Sequence, residues 1–171
     1  LGELKAVFDA HREYVLNIRV GGNDFSNLYG VRRSIAHTIY DVGVVRDILV
    51  DILNIFARDY VVSGPVWNYF GEDPAGLWAK GLQKELEYDR LNGFIGKTVI
   101  HPAQLPFVYG SLRVQRADYE DARMIMDWRD ERAGVRKSWD GTRMNEVKTH
   151  QKWAARVMAL AEIYGVKEEG E

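Results

Sequence analysis

Asp24 follows two glycines at the end of an apolar run, Leu16-Asn-Ile-Arg-Val20. A carboxylate so placed can approach a hard cation such as Mg²⁺, which takes few protein carboxylates and keeps several waters. The same residue types also build an Asx-turn or the N-cap of a helix. Arg19, Arg32 and Arg33 offer guanidinium forks that match carboxylate or phosphate bidentately. If the run alternates, Arg19 shares a face with Gly21 and points toward a site; otherwise it is an arginine paired inside the fold. For Arg32 and Arg33 the competing reading is a solvated helix start. Ser63-Gly-Pro-Val-Trp67 forms a second cluster, in which Gly64 allows close backbone approach to a ligand and Trp67 either walls a pocket or fills the core. Ser63 has no evident base partner, so serine-nucleophile chemistry is not expected.

The third cluster is Gly93-Phe-Ile-Gly-Lys-Thr-Val-Ile-His-Pro-Ala-Gln104. Its Gly-Lys-Thr invites a phosphate-loop reading, which fails because Leu91 and Asn92 stand where the earlier glycine belongs. Val-Ile-His-Pro also follows, where a helix should open. Pro102 ends the strand, leaving His101 at its C-terminal end, either as a catalytic group or as a structural hydrogen-bonder. Lys97 as a Schiff-base lysine is disfavoured because it opens the strand rather than closing it. The histidines at 11, 37, 101 and 150 lack zinc-ligand spacing.

These residues need elements to hold them. The pattern predicts a helix over about 3–13, a strand at 16–20 and an irregular stretch to Val44. Val44, Val45, Ile48, Leu49, Ile52, Leu53 and Phe56 then make a helical stripe. A second strand, 60–62, stops at Ser-Gly-Pro, and a helix runs from about Pro74 to Leu91 with Asn-Gly as its stop. The third strand is expected at 98–100, and further helices near 117–132 and 145–164, the last capped by Asn145 and followed by a fraying tail, 167–171. Strand spacings too long for hairpins imply parallel pairing, and right-handed crossovers bring the three strand ends to one face. Asp24, Ser63–Trp67 and His101 therefore converge.

The chain has 171 residues, 46% hydrophobic and 28% charged, as expected of a folded domain rather than a disordered chain. A net charge of −2 argues against a general nucleic-acid or membrane-surface binder. Cysteine is absent, which removes disulfides, thiolate metal sites and cysteine nucleophiles and fits the cytoplasm. No apolar run reaches membrane-span length.

Four segments in order carry a family pattern: Arg19-Val-Gly-Gly-Asn-Asp-Phe25 with Tyr29-Gly-Val-Arg-Arg33, Ser63-Gly-Pro-Val-Trp67, Gly93 to Gln104, and Met144-Asn-Glu-Val-Lys-Thr-His150. Together they resemble the citrate lyase β-subunit / HpcH–HpaI aldolase superfamily, most closely its branch of C–C bond lyases of the TIM-barrel fold. The resemblance implies an α/β fold, the C-terminal part of a (β/α)8 TIM barrel comprising its last three β-α units, plus a C-terminal helical extension. Residues 1–134 would form the partial barrel and 135–171 the extension. Three strands cannot close such a barrel, so an N-terminal part or a partner chain is expected to complete it.

The implied activity is Mg²⁺-dependent carbon–carbon cleavage or formation in an oxo acid or acyl-CoA thioester, through a metal-stabilised enolate, in a homo-oligomer. Asp24 would ligate the metal, and a second, glutamate ligand is expected on a preceding strand. Arg19 and His101 would act at the reacting centre, and Arg32, Arg33, Gly64 and Trp67 would bind substrate. The resemblance also lets Glu146 or His150 reach a neighbouring subunit's site. The alternative is a non-catalytic, subunit-like protein of the same fold that works through its surfaces.

Overall fold

Strands cut short by glycine and proline organise the computed structural model, which describes residues 1–128 and 134–168. The chain forms two compact units, Leu1–Ser111 and Leu112–Glu171. That division falls earlier than the expected 134/135 boundary, because the helix after residue 115 shares its core with the C-terminal helix.

In the first unit, α1 (Gly2–Ala10) precedes β1 (Ile18–Arg19), then α2 (Gly22–Leu28), α3 (Gly43–Phe56), β2 (Val62–Ser63) and α4 (Leu77–Asn92). β1 and β2 pair in parallel, Ile18 opposite Val62 and Arg19 opposite Ser63. Segment 95–98 extends the sheet: Ile95 N–H donates to Val62 O (2.8 Å), Gly64 N–H to Gly96 O (3.0 Å) and Thr98 N–H to Gly64 O (3.1 Å). The third strand is therefore three residues earlier than expected, and Ile100 lies beyond the pairing, exposed.

Alternation sorts the sheet. Ile18, Val20 and Val62 pack with Val45, Leu49, Ile52 and Phe56 of α3, the face the stripe anticipated. Arg19 points to the opposite side, which in a closed barrel is the interior. A second cluster joins Trp67, Trp78, Leu82, Leu86 and Val108, with Val108 on α5 (Leu105–Leu112), a helix the pattern did not reveal.

The second unit comprises α6 (Arg116–Met126), an antiparallel hairpin of β3 (Val135–Lys137) and β4 (Met144–Glu146), and α7 (Val147–Tyr164). Residues 129–132, within the expected 117–132 helix, and tail residues 169–171 lie outside the described residues. The start of the tail pairs, with Lys167 N–H donating to Val114 O at 2.8 Å. Asn145 sits buried in β4 and does not cap α7. Glu146 occupies the cap position instead, and its N–H donates to His150 Nδ1 (2.9 Å). Among the described residues no helix is long and apolar enough to cross a membrane.

Candidate functional site

β1 ends at two glycines that are small for different reasons. A Cβ on Gly22 would lie 2.5 Å from Pro65 Cβ, so glycine lets the start of α2 close onto the segment after β2. A Cβ on Gly21 would fall on the Asp24 carboxylate, which folds back over that glycine. Asp24 itself is exposed in the first turn of α2 and makes no side-chain hydrogen bond or ion pair within the described residues. The start of the stretch expected to be irregular is thus helical from Gly22, and it presents a carboxylate unpaired among the described residues just past a strand end.

Arg19 is exposed and makes one long hydrogen bond, Nε to Thr98 Oγ1 at 3.4 Å, across the sheet. No carboxylate among the described residues pairs with it. Of the two earlier readings, the arginine paired inside the fold does not apply, and the guanidinium stands on the open sheet face.

Arg32 and Arg33 separate sharply. Arg32 is exposed without an ion-pair partner among the described residues, whereas Arg33 is buried. Arg33 Nη2 donates to Val66 O (2.6 Å) and Glu85 Oε1 (3.2 Å), and the guanidinium lies 5.3 Å from the Trp67 ring centre. Lys97 Nζ joins the same cluster, 3.0 Å from Glu85 Oε1 and 2.7 Å from Asp89 Oδ2. Glu85 Oε2 accepts from Ile39 N–H (2.7 Å) and Asp89 Oδ1 from Tyr40 OH (2.7 Å). Burial drives the Tyr40 phenol far above its usual value, reinforced by the Asp89 charge. Two buried cations thus face two buried carboxylates. Lys97 points at α4, away from the open sheet face, and is held as an ion-pair partner. Arg33, expected to bind substrate, is likewise held through Nη2 as an ion-pair partner.

Gly64 and Trp67 were expected to contact substrate as well, and both serve packing. A Cβ on Gly64 would lie 2.6 Å from Asp89 Oδ2 and 2.8 Å from Asp89 Cγ. Since Lys97 and Tyr40 clamp that carboxylate, it cannot yield. Gly64→Ala is expected to destabilise by about 1–3 kcal/mol, the scale of overpacking in a tight core, measured as a lowered denaturation midpoint. Trp67 is fully buried, its Nε1 donating to Trp78 O (3.0 Å), and Gly81 of α4 makes room for its ring. It presents no wall to solvent.

His101 is half-buried at the expected strand end and is anchored. Its Nδ1 accepts from Ala103 N–H (3.2 Å), capping the 3₁₀ turn Pro102–Gln104, and its ring stacks on Phe70 with centroids 4.1 Å apart. Accepting at Nδ1 puts the proton of the neutral ring on Nε2. The structural hydrogen-bonding reading therefore accounts for one nitrogen. The end of the same motif holds a group the sequence reading passed over. Gln104 is buried, its Nε2 donating to Trp67 O (2.9 Å) and Tyr69 O (3.0 Å) while its Oε1 accepts from Ile100 N–H (3.2 Å). This carboxamide ties the segment after the third strand to the segment after β2.

A cleft of about 580 Å³ opens among these post-strand segments, bordered by Asn23, Asn27, Arg32, Arg33, Asn68 and Ile100. Asn23 Nδ2 donates to Asn68 Oδ1 (2.9 Å), joining the ends of β1 and β2 across it. Asp24, Ser63–Trp67 and His101, the groups expected to converge, do not line this cleft, whereas their sequence neighbours Asn23, Asn68 and Ile100 do. For a divalent cation the chain offers the Asp24 carboxylate, but no three metal-ligating side chains cluster among the described residues.

The sequence matches the family described as C–C bond lyase of the TIM-barrel fold over residues 1–166. No curated protein and no solved structure matches the chain.

Proposed function

The chain belongs to the C–C bond lyases of the TIM-barrel fold, and from that premise we propose that it carries part of the active site of a cytoplasmic lyase related to the citrate lyase β-subunit. The reaction is aldol-type cleavage or formation of a carbon–carbon bond in an oxo acid or its acyl-CoA thioester. Breaking that bond leaves its electron pair on an enolate, whose oxygen needs a fixed positive donor. The observation that carries this reading is Arg19, an exposed guanidinium without a carboxylate partner among the described residues, on the sheet face away from the helices.

Asp24, exposed just past β1 and unpaired among the described residues, is the ligand this chain would lend to Mg²⁺. The remaining ligands would come from outside the described residues. His101 Nε2–H, three residues past the third strand at the cap of the 3₁₀ turn, would be a donor to substrate oxygen.

The test is an assay of carbon–carbon cleavage by the whole protein against a panel of 2-oxo acids and hydroxyacyl thioesters. Asp24→Ala is expected to lower kcat/KM by about two orders of magnitude or more, the several kcal/mol that charge stabilisation at such a centre supplies. Cleavage that survives Asp24→Ala undiminished would sink the assignment.

A further inference from the structure

The cleft bordered by Asn23, Asn27, Arg32, Arg33, Asn68 and Ile100 has the chemistry of an anion site. Among the described residues no carboxylate borders it. Its rim carries the Arg32 guanidinium, exposed and without an ion-pair partner among the described residues. Arg33 lies in its wall, and the buried Arg33 Nε–H has no hydrogen-bond partner among the described residues. That orphan matters, because buried donors are almost always satisfied in folded proteins, and an exception calls for a group that completes it. The charge of Arg33 is already balanced by Glu85, so the uncompensated positive charge at the cleft belongs to Arg32. Carboxamides at 23, 27 and 68 add neutral donors, and exposed Ile100 adds an apolar lip.

We propose that this cleft binds the terminal oxyanion, carboxylate or phosphate, of a small organic ligand. Arg32 clamps the anion, Asn23, Asn27 or Asn68 supplies the carboxamide donors, and Ile100 packs on the carbon chain. The inference rests on the lyase reading only in taking that ligand for the substrate. On that reading the substrate carries an anionic terminus in addition to the carbonyl at its scissile bond.

Calorimetric titration of the purified protein at low ionic strength, with inorganic phosphate and with succinate as separate probes, tests it. At least one probe is expected to bind. Preference for phosphate assigns a phosphorylated ligand, and preference for succinate assigns a dicarboxylate. Arg32→Gln is expected to weaken binding about tenfold or more, the loss of one charge-assisted fork. Asn68→Asp keeps the acceptor for Asn23 Nδ2 and adds a negative charge, so binding should vanish while the fold stays. Arg46→Gln, an exposed arginine of α3 paired with Asp47, is the control and should bind as the unaltered protein does. Binding of neither probe, or equal binding by all four proteins, overturns the proposal. Anion binding without carbon–carbon cleavage would remove the lyase reading and leave this site. Cleavage without anion binding would do the reverse.

Discussion

Glu85→Ala is expected to destabilise the first unit by about 3–5 kcal/mol, the range for removing one partner from a buried ion cluster. Three interactions disappear together. Lys97 Nζ loses its contact at 3.0 Å, Arg33 Nη2 its contact at 3.2 Å, and Ile39 N–H its acceptor at 2.7 Å. Asp89 then faces two buried cations alone, and an N–H that water cannot reach is left unsatisfied. The amides of Ile95 and Gly64, which donate to the ladder beside Lys97, report the loss directly as faster hydrogen exchange. Glu85→Gln separates the contributions: it keeps an acceptor for Ile39 and loses only the charge, so it should cost less than Glu85→Ala. A double change of Glu85 and Lys97 to methionine should recover part of the loss, because the cluster's energy is not additive over its members.

The same carboxyl sets a pH dependence. Burial pushes Glu85 above its ordinary value of 4.5, while Lys97 and Arg33 pull the other way. A raised folded-state value means that the fold holds this proton more tightly than the unfolded chain does. Stability from the group is then fullest below 4.5 and declines as pH rises through the raised value. Glu85→Gln cannot titrate and should lack that decline. What the cluster supplies at neutral pH is arrangement: it fixes α4 against the third strand and sets Arg33 in the wall of the cleft.

This cluster also marks where the sequence stops being legible. Lys84-Glu-Leu-Glu-Tyr-Asp-Arg90 reads as the solvated face of a helix, and nothing local says that Glu85 and Asp89 are buried. Their partners lie at positions 33, 40 and 97, so the reason for burial is tertiary. Adjacent Arg32 and Arg33 cannot be told apart by type, yet Arg33 alone reaches Glu85. Gly64 and Gly81 likewise are glycine because Asp89 and Trp67 fill the space a side chain would take. Other features were written locally. Apolar runs cut by Gly-Gly and Gly-Pro placed β1 and β2, and the period of Val45, Leu49, Ile52 and Phe56 placed the buried face of α3. The hairpin β3–β4 had a signal that the helical expectation overrode. Asp140-Gly141 is a turn dipeptide, and Gly141 adopts φ +74°. Ser138 Oγ, Thr142 N–H and Thr142 Oγ1 all donate to the Asp140 carboxylate, holding it down to about 2. In the second unit, as in the first, a buried acid hides in a charged helix: Asp121 of α6 accepts from Trp139 N–H (2.6 Å) and Arg143 Nε (2.9 Å).

Arg19→Ala is expected to lower kcat for carbon–carbon cleavage by about 10²–10³, the effect of removing one donor aimed at a developing oxyanion. The position suits such a test because its neighbours, and not Arg19 itself, hold the strand. Ile18 and Val20 are buried against α3, while the Arg19 side chain is exposed and contributes one hydrogen bond of 3.4 Å. Removing it should therefore change stability by no more than about 0.5 kcal/mol, as for other exposed side chains outside the core. Unchanged exchange of the Ile18 amide, which donates to Val61 O at 2.8 Å, would show that the strand is intact. Arg19→Lys keeps the charge without the planar fork and should restore only part of the rate. The division between kcat and KM decides what Arg19 does. A fall in kcat and kcat/KM together means that the guanidinium acts on the enolate; a rise in KM alone means that it only holds the substrate carboxylate. If both constants stay within about threefold, below the scale of a single catalytic donor, the open face of the sheet is not where the bond breaks.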